Sequence, residues 1–488
     1  MEKDILRFEP EKYIYETITC KGHEIVCKTY QGLTYVAKPV DAEYQSLNIY
    51  IPLTIDGTQI DTTDAPIVLQ NMCNGYNAYR INHPRQGHPF PQRPEPEDAP
   101  KIGPAPGRPG YRGFDRDKMY TPLMAGFILV VSGNRGRDNF ADGRYFGKAP
   151  APIVDLKAAV RYIRHNAAVL PGSTEHIISI GASAGGAVSA LLGASGNDAD
   201  YESYLAELGA AEERDDVFAS VCISPVLDLE HQDIAYEWQY GKLKHYTPLG
   251  EILPPVDQEL SAAMRARYEE YLRKLELDCR GDYGKLTPEI YKEYYLNEFV
   301  IPSAEKWLRE QDGETVRIYL EDRPWIHWDG KNAGFTFEDY EEYLGRLKGL
   351  AAFDTFEFGK SENTLFGTDS EPAAHFAEFT VRHVSGDPHA AVDPFVARQR
   401  DLMNPLTRLR EHNGKVAQYW WIRAAAKENG FALPIAVNAV AQLDKMGKEV
   451  NFRLVWDGGH CYEDDRPDML RWIEEIVRKE RQNGKSYD

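Results

Sequence analysis

The chain of 488 residues carries 56 Lys and Arg against 76 Asp and Glu, a formal charge of -20, with 42% hydrophobic and 11% aromatic residues. This composition can bury a core and is not that of a disordered chain, and the acidic balance argues against nucleic acid or an anionic membrane surface as partner, since both require a basic face. The six cysteines contain no C-x-x-C pair, so the sequence offers neither a zinc-site pattern nor a disulfide framework.

The length points to one large domain with a substantial insertion, or to two domains. The start, Met1-Glu2-Lys3-Asp4-Ile5, lacks the apolar stretch of a secretory signal, and no apolar run approaches the length of a membrane span. The expectation is therefore a cytoplasmic protein. Residues 11–60 read as a β-meander with strands near 13–18, 32–37 and 46–52. A short apolar strand follows at 65–70 and runs into Asn71-Met72-Cys73-Asn74-Gly75-Tyr76. The Pro- and Gly-rich polar stretch 83–113 reads as a long surface loop near a site mouth. Residues 126–133 are a buried strand and a turn, and 153–166 show helical apolar spacing. Within that helix, Asp155 and Arg161 are candidates for a weak exposed pair.

Next comes Gly181-Ala182-Ser183-Ala184-Gly185-Gly186, preceded by the β-branched run 176–180 and followed by the apolar, helix-compatible run 187–192. Strand, sharp turn with a serine at its tip, then helix is the context of a G-x-S-x-G nucleophile elbow. Glycines at 181 and 185 leave room where strand and helix pack closely. The helix N-terminus favours negative charge developing beside Ser183. A buried strand follows at 217–225, after which strand–helix alternation stops. Residues 231–404 are polar and aromatic-rich, with helical patterns at 258–276 and 337–350 and with Trp307, Trp325 and Trp328. Alternation resumes with a strand at 416–423, a helix at about 434–446, a strand at 450–456 ending in Asp457-Gly458-Gly459-His460, and a terminal helix at about 467–481.

A serine hydroxyl is a poor nucleophile at neutral pH and needs a histidine to take its proton and an acid to orient that histidine. In the α/β-hydrolase fold the chain order is nucleophile, acid, histidine. His460 fits, just past the final strand, whereas His83, His88 and His165 read as ordinary loop or helix-surface histidines. Glu428 is the only acid in the loop after strand 416–423, and Asp228, after the preceding core strand, is the alternative. Asp457 is too near His460 in sequence to bend back onto its ring, and Asp444 falls inside a helix. In this fold the loop after the third strand and the residue after the nucleophile supply the oxyanion-hole N–H groups, here Gly75 and Ala184.

Elbow, oxyanion loop, acid loop and terminal Gly-Gly-His together resemble the bacterial tannases, α/β-hydrolase esterases that cleave galloyl esters. The resemblance extends to Ser224-Pro225-Val226-Leu227-Asp228-Leu229-Glu230-His231, to Ala235-Tyr236-Glu237-Trp238, and from Lys348 through Ala352-Phe353-Asp354 to Glu362-Asn363-Thr364-Leu365-Phe366-Gly367. It implies that Lys348 and Glu362 hold the galloyl hydroxyls. Two departures stand out. Where the resemblance leads one to expect Asp and, two residues on, a second Asp contacting the ring, this chain has Glu428 and Gly430. In the related fungal tannases and feruloyl esterases, cysteines beside the serine and the histidine are joined. Here Cys461 follows His460 but Ala182 precedes Ser183, so that bridge is not implied, and Cys73 is left as a candidate neighbour of Cys461.

The expectation is an α/β-hydrolase fold with a mostly parallel central sheet. Residues 1–230 and 405–488 would form the core and 231–404 an inserted lid. Its chemistry would be that of a serine esterase on a small phenolic ester, using Ser183, His460 and Glu428, with no metal or organic cofactor. Alternatives are a feruloyl esterase or other carboxylesterase of the same fold, a peptidase, and a hydrolase-fold binding protein without catalysis.

Overall fold

The computed structural model of the protein describes residues 5–81, 116–243, 255–359, 361–428, 430–462 and 465–484. The stretch 83–113, expected as a loop near the site mouth, lies outside the described residues.

Nine strands lie side by side in the order Ile14–Cys20, His23–Thr34, Ser46–Ile55, Ile128–Ser132, Pro66–Asn71, Ser173–Ala182, Ala219–Ile223, Tyr419–Ala425 and Glu449–Val455, and the short strand Thr58–Gln59 pairs with Ser46–Ile55 to complete a ten-stranded sheet. The first three form an antiparallel meander, and Ser46–Ile55 is antiparallel to Ile128–Ser132. From Ile128–Ser132 onward all pairings are parallel. The second meander strand begins at His23 rather than Gly32, because the alternating run His23–Tyr30 pairs along the whole of Ile14–Cys20.

Alternate residues of the parallel strands face opposite sides, as the pleat requires. Ile177, Cys222, Trp420 and Ile422 join the helices Ala151–His165, Ala184–Ala194 and Leu433–Lys445 on one face. Ile178, Val221, Tyr419 and Trp421 pack on the other against Leu123 and against Met469, Ile473 and Val477 of the terminal helix. Strand order reverses between Pro66–Asn71 and Ser173–Ala182, which is where open α/β sheets bind ligands, outside the carboxyl ends of the strands.

Residues 232–403 add helices and one small ribbon, His327–Trp328 with Ala333–Gly334, but no described strand of the main sheet. Their buried side, including Tyr236, Tyr268, Phe353 and Leu402, is continuous with the core around Val188, Leu191 and Trp420. The helix expected over 337–350 spans Phe337–Leu344 and stops at Gly345, whose φ of 65° leaves the helical region. Beyond it Arg346 is fully buried and paired with Glu237.

The Asp155–Arg161 pair does not form. Six residues apart on a helix place the two side chains on different faces. Both are buried, Asp155 bound by Arg135 and Gln45, and Arg161 by Asp215 and Glu202.

Candidate active site

The turn at Ser183 is the local consequence of its glycines. A Cβ at Gly181 would stand 2.1 Å from the Gly185 carbonyl oxygen, and one at Gly185 would stand 2.6 Å from Asn71 Oδ1, so no larger residue lets strand and helix approach this closely. Ser183 itself sits at φ 58°, ψ -127°, an uphill conformation for a residue with a Cβ. It is held from both sides. Its N–H donates to Ile223 O at 2.8 Å, and Asn71 Nδ2 donates to Ile180 O, Gly185 O and Ser189 Oγ at 3.2, 3.1 and 2.9 Å. The helix Ala184–Ala194 starts at the next residue, presenting its first free N–H groups at the serine.

His460 Nε2 lies 2.9 Å from Ser183 Oγ, and its Nδ1 lies 2.6 Å from Glu428 Oε2. The serine is partly exposed and the glutamate buried. Burial alone would push the imidazole down in pKa; the Glu428 carboxylate, with a smaller contribution from Cys461, more than offsets this and holds His460 up at about 10. Phe431 stacks on the imidazole at 4.8 Å between centroids. The acid loop is pinned by its own backbone, Ala426 N–H to Val455 O at 2.8 Å and Lys427 N–H to Gly458 O at 3.1 Å. It is pinned also from residues of the 231–404 stretch, by Tyr240 Oη donating to Glu428 O at 2.9 Å and by Tyr340 Oη donating to Ala426 O.

Asp228 is not joined to His460. It accepts from the His231 ring, from Tyr271 Oη at 2.5 Å and from Asn404 Nδ2 at 2.8 Å. Asp457 is bound by Tyr343, and Asp444 pairs with Arg280.

Gly75 lies in the short turn Asn74–Tyr76 at φ 60°, a backbone state in which glycine is at ease. This turn abuts the elbow helix: Cys73 N lies 3.7 Å from where a Cβ on Gly185 would be. Ala184, buried, is the first residue of that helix. The Lys348 ammonium stands 3.9 Å from the Phe353 ring centre and 5.0 Å from that of Phe431, the ring stacked on His460. Glu362 opens the turn Glu362–Leu365, directly after Ser361, whose carbonyl accepts from Arg137 Nη1 at 3.0 Å. The same arginine reaches the end of the Asn74–Tyr76 turn through Asn77. Arg137, Asn71, Phe431 and the two tyrosines carry no signal in the sequence, although Asn71 opens the loop that was singled out.

None of the six cysteines is joined in a disulfide; Cys73 is buried, and the Cys461 N–H donates to Ser224 Oγ at 3.1 Å. Among the described residues no three His, Cys, Asp or Glu side chains group so as to hold a metal ion, and no helix is long and apolar enough to cross a membrane.

A family model described as BD-FAE matches residues 144–249. The crystal structure of a tannase from Fusobacterium nucleatum is 30% identical, covers 97% of this chain and 99% of its own, and superposes with a TM-score of 0.80. A tannin acyl hydrolase from Lactobacillus plantarum in its native structure is 28% identical, over 96% of this chain and 98% of its own, with a TM-score of 0.80. A tannin acyl hydrolase in complex with ethyl gallate is likewise 28% identical over the same shares, with a TM-score of 0.78. No curated protein sequence matches the chain.

Proposed function

The chain belongs to the tannase family of α/β-hydrolases, which are carboxylic ester hydrolases, and from that premise we propose that it cleaves galloyl-type phenolic esters with Ser183 as nucleophile. His460 Nε2 takes the proton of Ser183 Oγ as the oxygen attacks the ester carbonyl. The tetrahedral oxyanion is held by the N–H groups of Gly75 and Ala184 at the start of the elbow helix. His460 then gives its proton to the leaving alcohol, and an acyl-serine remains. A water molecule, deprotonated by the same nitrogen, attacks the acyl carbonyl and releases the acid. Glu428 stays ionised throughout, keeps the Nδ1 proton on its own side of the ring and stabilises the imidazolium.

Lys348 and Glu362 take the ring hydroxyls of the acyl group in a partly dry pocket, where charge-assisted hydrogen bonds to phenols are strong. Residues 231–404 form the lid that carries both, inserted into a core of 1–230 and 405–488. One observation carries the reading: the unbroken hydrogen-bond chain from Ser183 through His460 to Glu428, at 2.9 and 2.6 Å, on a strand-to-helix turn. It is tested by initial rates on methyl gallate and methyl ferulate side by side, with Ser183→Ala as control. Methyl gallate is expected to be the better substrate and the variant inactive on both.

A second reading, a feruloyl esterase or other carboxylesterase, is favoured by Gly430, which offers no side chain beside Glu428 and Leu347 where a second ring-contacting acid was expected. A clear preference for methyl ferulate would select it.

A further inference from the structure

Two loops of the candidate site come from distant parts of the chain, and one side chain joins them. Arg137 follows the strand Ile128–Ser132. Its backbone N–H donates to Tyr76 O at 2.9 Å, its Nε to Asn77 Oδ1 at 3.2 Å and its Nη1 to Ser361 O at 3.0 Å. Its Nη2 lies 3.7 Å from where a Cβ on Gly75 would be. Asn77 in turn closes the oxyanion loop, donating to Asn74 O from both its N–H and its Nδ2, each at 3.1 Å. On the lid side, Ser361 immediately precedes Glu362.

The loop needs such a brace. Gly75 and Tyr76 both lie at positive φ, 60° and 56°, and Tyr76 pays a steric penalty there that only over-determined surroundings sustain. The Tyr76 hydroxyl is buried without a hydrogen-bond partner among the described residues. Burial raises its pKa well above the ordinary tyrosine range, Glu362 raises it further and Arg137 opposes, so the three side chains share one neighbourhood. Among the described residues no carboxylate lies within ion-pair distance of Arg137, so its charge is spent on neutral oxygens of the two loops. Bridging two acceptors on separate loops suits a planar guanidinium; a lysine ammonium is a point charge on a flexible stem.

We propose that Arg137 is a positioning residue that locks the Gly75 oxyanion loop to the lid segment bearing Glu362, so that ring recognition and carbonyl polarisation share one register. The proposal rests on the roles given above to Gly75 and Glu362. Without the bridge, the oxyanion loop relaxes and Glu362 loses its fixed distance from the reacting carbonyl.

The test uses the full chain as wild type, Arg137→Ala and Arg137→Lys, with kcat and KM measured on methyl gallate and on p-nitrophenyl acetate, whose acyl group has no ring to reach Glu362. In Arg137→Ala, kcat is expected to fall on both esters by about tenfold or more, a share of what loss of a whole oxyanion donor costs. KM should rise on methyl gallate alone, and Arg137→Lys should restore neither value. A kcat on p-nitrophenyl acetate within about twofold of wild type overturns the link to the oxyanion loop; a KM on methyl gallate that does not rise overturns the link to the lid. Should Arg137→Ala not fold, Asn77→Ala removes the acceptor at one end of the bridge; it should lower kcat on both esters, and wild-type kinetics there overturn the proposal. A wild type that cleaves p-nitrophenyl acetate but not methyl gallate refutes the galloyl reading instead, and the Arg137 bridge is then still read from kcat on the acetate.

Discussion

Two histidine–carboxylate pairs stand beyond the carboxyl ends of the parallel strands, and they are nearly identical as pairs. His460 Nδ1 meets Glu428 at 2.6 Å and His231 Nδ1 meets Asp228 at 2.9 Å. Each imidazole lies flat against an aromatic ring, His460 on Phe431 at 4.8 Å and His231 on Tyr271 at 3.6 Å. They differ in what surrounds the pair. Asp228 is also bound by Tyr271 and by Asn404, so it ties together both ends of the 231–404 stretch, at His231 and at Asn404. His460 instead turns its second nitrogen to a hydroxyl on an uphill, partly exposed turn. A carboxylate that raises the basicity of a histidine is thus a common structural device. It becomes a catalytic one where the far nitrogen meets a nucleophile.

The largest expected effect separates nucleophile from scaffold. Ser183→Ala should lose on the order of 10⁶ in kcat, as removal of the nucleophile does in serine hydrolases, while the thermal melt stays in place. Glu428→Gln should lose on the order of 10⁴ in kcat, since the amide favours the wrong tautomer. Asp228→Asn should keep kcat within a few-fold and lower stability instead, by about 1–3 kcal/mol for a buried polar network left incomplete. If the two carboxylate variants exchange these phenotypes in a kinetic and melting comparison, the acid has been assigned to the wrong pair.

The pH dependence sharpens the same contrast. In the proposed mechanism turnover needs neutral His460, whose pKa Glu428 raises. Removing that carboxylate lowers the pKa, so the acid limb of kcat/KM should move to lower pH in Glu428→Gln and stay in place in Asp228→Asn. For the other pair the readout is stability. Burial would raise Asp228, but His231 holds it below its ordinary value; burial would lower His231, but Asp228 holds it above. The stability from Asp228 is therefore present above the ordinary aspartate range and is lost as pH falls through its depressed value. That from His231 is present below about pH 6.5 and is lost as pH rises through its raised value. The advantage of wild type over Asp228→Asn in thermal melts should be greatest at about pH 5–6 and shrink on the alkaline side.

What the sequence made legible follows from the span of each contact. Gly181, Ser183 and Gly185 form one local turn whose strand and helix are written in the flanking residues, and His460 is marked by its place after the last strand. Glu428 was the only acid in its loop, yet Asp228 stayed open, because nothing local distinguishes a carboxylate that meets His460 from one that meets His231. The brace on the acid loop was hidden, since Tyr240 and Glu428 are 188 positions apart. Lys348 and Glu362 emerged only through family resemblance. Their segments are set by carboxylates that look like surface charges in the sequence: fully buried Asp354 binds Asn363, the His375 ring and the N–H groups of Phe376 and Ala377, and Asp233 takes the N–H groups of Phe353 and Asp354. The Asp155–Arg161 expectation failed for the same reason, as both charges are buried against partners far away in the chain.

The smallest expected effect lies at Gly430. A Cβ there would stand 3.2 Å from Glu428 Oε1 and 3.8 Å from Leu347 Cδ2. The second distance is ordinary contact; the first is tight enough that the carboxylate must shift by a few tenths of an ångström. Oε2 is the oxygen bonded to His460, so a push on Oε1 rotates the group and stretches that bond. Gly430→Ala should therefore lower kcat by roughly twofold to tenfold with KM unchanged, since small misplacements of a catalytic group cost rate before binding. Glu428→Asp withdraws the carboxylate by one methylene. It is expected to lose rate on its own, through reach, but to make Gly430→Ala harmless. The double-mutant cycle should show a coupling of about the whole Gly430→Ala effect. Additive losses would mean that the open space at Gly430 serves the substrate ring and not the acid. Asp228, fixed by partners on three sides, has no such dependence on a neighbouring glycine, and this separates a carboxylate that holds the fold together from one proposed to orient the imidazole beside Ser183.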